Sequence, residues 1–136
     1  MAAAGCSGEL IILGYKVSND GDDKDNIGIC WKIQAHNDWI RDLSWAHNSY
    51  MNYWLIATGS EDKKCKIWKM ESGKKDDYYR DCFEIVTDSP VWRVSWNPTG
   101  NLLCVVYTNK EGHNTNKVYA EDQRGQWKEI SDEKHK

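Results

Sequence analysis

Four side chains in the middle of this sequence could act chemically on one another: His36, Thr58, Asp62 and Trp68. His36 precedes Asp62 by 26 residues, and Asp62 precedes Trp68 by six, across a stretch that reads as a tight turn between two strands. An imidazole beside a carboxylate can take and return protons, and a hydroxyl such as that of Thr58 or Ser60 would supply the nucleophile of a hydrolase. The same four groups can also satisfy one another. A buried carboxylate in a turn needs donors, and an imidazole, a hydroxyl and an indole N–H can provide them. A satisfied network of that kind fixes one packing arrangement rather than running a reaction.

The elements that must hold these groups repeat. Setting Trp45 of HNDWIRDLSW (36–45) on Trp96 of DSPVWRVSW (88–96) places Ile40 on Val91, Leu43 on Val94 and Ser44 on Ser95, an offset of 51 residues. A propeller blade repeats every 40 to 45 residues or so, and long loops account for the excess. After each segment comes an apolar strand, 54–60 and then 102–107. An alternating strand follows, 65–69 and then 116–119, and then a fourth candidate, 82–86 and then 126–130. Pro98-Thr99-Gly100, Ser72-Gly73 and Gly112 punctuate them as turns. Residues 1–35 read as the last strands of an incomplete unit, because Ala3-Ala4-Gly5-Cys6-Ser7 parallels Ala57-Thr58-Gly59-Ser60-Glu61. Residues 36–86 then form a complete blade and 87–136 a final, degenerate one. The polar stretch from Thr108 to Asn116 reads as an insertion that blurs the last unit's third strand. No segment has helical periodicity.

Composition agrees with an all-β class. The 136 residues include eight Trp and seven Tyr against one Phe and two Pro, and such rings suit a pleated surface. A net charge of −3 provides no global positive field to attract nucleic acid or an anionic membrane. The densest basic stretch, Lys63 to Lys69, alternates charge with apolar residues and so reads as one wet face of a strand. Five Cys form no CxxC pair and four His are scattered, which argues against a metal site; nothing implies a cofactor. Reduced thiols, the lack of a signal-like N-terminus and the lack of a long apolar run suggest a cytosolic or nucleoplasmic setting.

The His36–Thr58–Asp62–Trp68 set resembles the structural tetrad of WD repeats, a hydrogen-bond chain inside each blade. The repeat's usual Trp-Asp ending is replaced by Trp68-Lys69, and in the last unit Tyr119 stands where the Trp would be. Three clusters resemble the Sec-thirteen-type family more closely: residues 35–45, residues 90–96 with Gly100 to Leu103, and residues 125–132. They contain Trp39, Arg41, Asp42, Trp45, Trp92, Trp96 and Trp127. That family comprises the small propeller of the COPII outer coat and of the nuclear pore's Y-shaped scaffold. The resemblance implies a partial WD-repeat β-propeller: about two and a half four-stranded antiparallel blades from the C-terminal end of an open six-bladed ring. It implies a non-catalytic scaffold in ER-to-Golgi protein transport. The expected partner is an α-solenoid protein, the large outer-coat subunit or a scaffold nucleoporin, that donates a blade in trans. The expected site is cytoplasmic, peripheral on ER-derived COPII vesicles or at the nuclear pore, with no direct membrane insertion. A sibling nucleoporin propeller or a ubiquitin-ligase substrate receptor is the alternative. The shortfall in length at the N-terminal side reads as a fragment.

So few blades cannot close a ring, so the end sheets should leave apolar surface open to water. Trp45, Trp96, Leu103 and Val105 are the residues expected to be partly exposed. Trp39, Tyr78 and Tyr79 are candidate partner anchors.

Overall fold

Alternating β-branched and aromatic residues, with few prolines, give each segment a strand's period of two. In the computed structural model, residues 2–16, 26–46, 53–71 and 79–130 are described, with side chains placed for 2–13, 32–46, 53–69 and 82–130. The strands are β1 (Ala2–Ala4), β2 (Glu9–Lys16), β3 (Asn26–Gln34), β4 (Ile40–Trp45), β5 (Tyr53–Ser60), β6 (Lys64–Glu71), β7 (Tyr79–Val86), β8 (Val91–Trp96), β9 (Leu102–Thr108), β10 (Asn114–Glu121) and β11 (Trp127–Glu129). They form a three-stranded sheet, β1-β2-β3, and two four-stranded sheets, β4-β5-β6-β7 and β8-β9-β10-β11. Every pairing is antiparallel between neighbours in sequence. The fold is all-β, and the described residues contain no helix.

The middle sheet is covered on both faces. Leu55, Ala57, Cys65 and Ile67 pack on Val91, Val94, Leu103, Val105, Tyr119 and Trp127 of the last sheet. Ile40, Ile56 and Trp68 pack on Leu10 and Ile12 of the first. Strand burial follows directly from this layering. The last six residues of β5 are all buried, whereas β9 alternates between buried and part-exposed. In β5, at the centre of the layers, both faces are covered and consecutive residues are hidden; in β9 one face is covered and every second residue is.

Two sequence expectations are corrected here. Leu103 and Val105 are fully buried against the middle sheet, because they occupy the inward positions of β9; Trp45 and Trp96 are part-exposed. The uncovered residues of β9 are instead Leu102, Cys104 and Val106. The Thr108–Asn116 stretch is not an insertion that blurs a strand. Thr108 pairs with Asn114, which leaves residues 109–113 as a hairpin turn. The side chain of Asn109 accepts the amides of Glu111 and His113 at 3.0 and 2.9 Å, and Gly112 adopts a φ of 84°. The polar residues are the turn's own hydrogen-bonding groups. The polar run 18–26 reads from its composition as a solvated loop; most of it, and Tyr78, lie outside the described residues. Tyr79 lies in β7, its side chain likewise outside them.

Close approach of the last two sheets requires a glycine. A Cβ at Gly59 would lie 2.5 Å from Cγ1 of Val91 and 3.1 Å from Cγ1 of Val94. Gly59→Ala should therefore lower unfolding free energy by about 1–3 kcal/mol in denaturant melts. Gly5→Ala, where an added Cβ meets nothing within 4 Å, should stay within about 0.5 kcal/mol. Equal effects at the two positions would contradict the packing described.

Candidate functional site

The tetrad is assembled between the first and middle sheets. His36 sits in the link from β3 to β4, Thr58 in β5, Asp62 in the β5–β6 turn and Trp68 in β6. Gly8 shapes that link. At a φ of 74° it turns its carbonyl towards the amides of Ala35 and His36, both at 3.0 Å. A Cβ there would lie 2.4 Å from the His36 carbonyl oxygen. The β5–β6 turn is held by Asp62, whose Oδ1 accepts the Lys64 amide at 3.0 Å. Lys63 adopts a φ of 66° between them.

The chain of hydrogen bonds has one direction. The Trp68 indole N–H donates to Thr58 Oγ1 at 3.0 Å. The Thr58 hydroxyl lies 2.7 Å from His36 Nε2, and His36 Nδ1 lies 2.9 Å from Asp62 Oδ2. A neutral imidazole protonated on Nδ1 completes this chain: Nε2 accepts the hydroxyl proton, and Nδ1–H donates to the carboxylate. Protonating Nε2 would point a donor at a hydroxyl whose own proton then has nowhere to go. Burial accordingly lowers the His36 pKa, with the Asp62 carboxylate opposing that shift.

This geometry does not suit an acid–base pair with a nucleophile. Thr58 is 0% exposed and its oxygen is already engaged on both sides. Ser60 is equally buried and donates to the Trp39 carbonyl at 2.7 Å. No substrate can reach either hydroxyl.

The other motif residues lie along the innermost strands. Asp42 Oδ2 accepts the Val94 amide at 3.0 Å, and the Ser44 carbonyl accepts the Trp96 indole N–H at 3.0 Å. These bonds tie the middle sheet to the last. Trp96 meets Trp127 edge-on at 5.3 Å, and Trp45 packs on Trp54 at 5.5 Å. Arg41 pairs with Glu61 and lies 5.8 Å from the Trp39 ring and 5.0 Å from the Trp92 ring. Trp39 and Trp92 are 50% and 45% exposed, at the end of the sheets where β4 and β8 begin. The sequence pointed to Asp42 as a motif residue but not to its bond 52 residues away, because an aspartate's acceptor capacity does not specify which amide it meets.

The family described as "WD domain, G-beta repeat" matches residues 28–69. Over 132 residues the chain is 35% identical to "Protein transport protein SEC13 homolog A" of Arabidopsis thaliana, covering 96% of this chain and 40% of that protein. It is 32% identical to "Protein SEC13 homolog" of Homo sapiens, covering 96% of this chain and 37% of that protein. The chain is a Sec13-type WD-repeat sequence. A third relative, "Protein transport protein sec13" of Emericella nidulans, is 33% identical over 74% of this Sec13-type chain and 30% of its own length. The Sec13-type chain thus spans about 40% or less of the curated relatives it matches.

Removing the carboxylate of Asp62 strands the His36 N–H and two backbone amides. Asp62→Ala should cost about 1–3 kcal/mol in denaturant melts, and a neutral result would mean that the hydrogen-bond chain contributes nothing to stability. The pH dependence has a definite sign. The folded pKa of His36 lies below its ordinary value, so the unfolded chain binds the proton first. Stability contributed at this site is complete above about pH 6.5 and declines as pH falls through the lowered folded pKa. His36→Gln, less stable throughout, should lose that part of the slope in thermal melts run from pH 7.5 to 5.

Proposed function

We propose that this Sec13-type chain is a non-catalytic scaffold of protein transport, which holds a blade donated by an α-solenoid partner against the open face of its last sheet. In this reading the partner is the large outer-coat subunit of COPII vesicles or a scaffold nucleoporin. The setting is the cytoplasmic surface of ER-derived vesicles, with the nuclear pore as a second site. The relatives' printed names, which speak of protein transport, support the class of role.

The observation that carries the reading is an apolar sheet face with no cover among the described residues. Aligning β4 on β8 makes Leu102 equivalent to Leu55, Cys104 to Ala57 and Val118 to Ile67 through the strand registers, because Ser44 opposes Ala57 as Ser95 opposes Cys104, and Ile67 opposes Ala57 as Val118 opposes Cys104. In the middle sheet these positions are 0–3% exposed beneath the last sheet. In the last sheet they are part-exposed and line a groove of about 240 Å³ with Ser95, Trp96 and Asn97. Covering such a face with another sheet gains roughly 25 cal/mol for each Å² of apolar surface removed from water. A blade-like sheet from a partner has the shape to do it. The sealed hydroxyls of Thr58 and Ser60 support a role without catalysis.

Light scattering should find the protein alone self-associating as its concentration rises. The blade-donating segment of the large outer-coat subunit should convert it to a one-to-one complex. Val118→Lys should weaken both associations while shifting the melting temperature by no more than a few degrees. A protein that stays monomeric and ignores the segment would overturn the proposal.

A further inference from the structure

The open face differs from its covered counterpart at one charged position. Both innermost strands carry the same irregularity, between Ile40 and Asp42 in β4 and between Val91 and Arg93 in β8. Beyond it the registers match: Asp42 opposes Gly59 as Arg93 opposes Val106, and Ser44 opposes Ala57 as Ser95 opposes Cys104. Arg93 therefore stands where Asp42 stands one blade earlier, and Val106 stands where Gly59 does.

Both replacements change what a neighbouring strand must offer. At the covered joint Gly59 lets β8 come close, and the short Asp42 side chain accepts the Val94 backbone amide directly at 3.0 Å. At the open joint the valine side chain of Val106 holds any neighbouring backbone farther off. The position of the acceptor is taken by a guanidinium, which can only donate. An incoming amide would face a second donor. Arg93 is exposed, has no hydrogen-bond or ion-pair partner among the described residues, and lines a groove of about 500 Å³ with Trp92, Val106, Thr108 and Asn114.

We infer that the innermost strand of the partner blade carries an aspartate or glutamate at the position facing Arg93, so that a side-chain ion pair replaces the carboxylate–amide bond of the covered joint. The inference rests on the docking proposed above and specifies the chemistry of that partner. A forked guanidinium suits a carboxylate held at side-chain distance, and the Trp92 ring and Val106 beside it exclude water. Ser95 retains the acceptor groups that Ser44 uses on Trp96, so the rest of the joint keeps its pattern.

Isothermal titration of the protein with the blade-donating segment of the large outer-coat subunit tests this. Arg93→Glu should weaken binding by at least about tenfold. An acid-to-lysine exchange in the segment's innermost strand should restore binding to Arg93→Glu and weaken binding to the unaltered protein. Binding of Arg93→Glu that matches the unaltered protein, or loss that no single exchange restores, would overturn the inference while Val118→Lys still reports docking. If the unaltered protein does not bind the segment, the docking proposal falls and this inference with it.

Discussion

A β-sheet whose two faces are both apolar has to be covered twice, and the arrangement of this chain follows from how that requirement is met. The middle sheet meets it fully, with Leu10 and Ile12 on one side and Leu103 and Val105 on the other. Its second strand, β5, can therefore lose the polar–apolar alternation that a solvated face imposes. The tetrad is a polar feature inside these layers, and it is tolerated because each donor in it meets an acceptor. Its value is positional. By tying the link before β4 to β5, the β5–β6 turn and β6, it sets where the innermost strand begins and hence which face of β4 meets the last sheet.

Much of this was legible from residue type and spacing. The offset between Trp45 and Trp96 defined the repeat, and the structure pairs Leu43 with Thr58 and Val94 with Val105 at matching heights. Strand periodicity located almost every strand, because alternation is a property of the chain itself. Which of the two faces would be covered was not legible. Leu102 and Leu103 have the same composition, and only the order of the sheets decides that Leu103 is sealed and Leu102 part-exposed. The hairpin at 109–113 was misread for a related reason. Its polar residues resemble a solvated loop until Asn109 is seen to close the turn with its own side chain.

The contacts between sheets were the least accessible from sequence. Gly59 reads only as one residue of the apolar strand 54–60, but its missing side chain is the space that Val91 occupies. Asp42 stands out in the sequence only as a motif residue, but it accepts an amide from the next sheet. Such bonds join residues about one repeat apart and appear only when equivalent positions in successive units are compared. The same comparison distinguishes the last sheet from the middle one, where Arg93 and Val106 break the pattern while Ser95 keeps it.

The absent side chain at Gly59 also bears on which changes the joint between the middle and last sheets can absorb. Val91 fills the volume that a Cβ at position 59 would need. A larger residue at 59 therefore requires a smaller one at 91, so the two positions vary as a pair rather than singly.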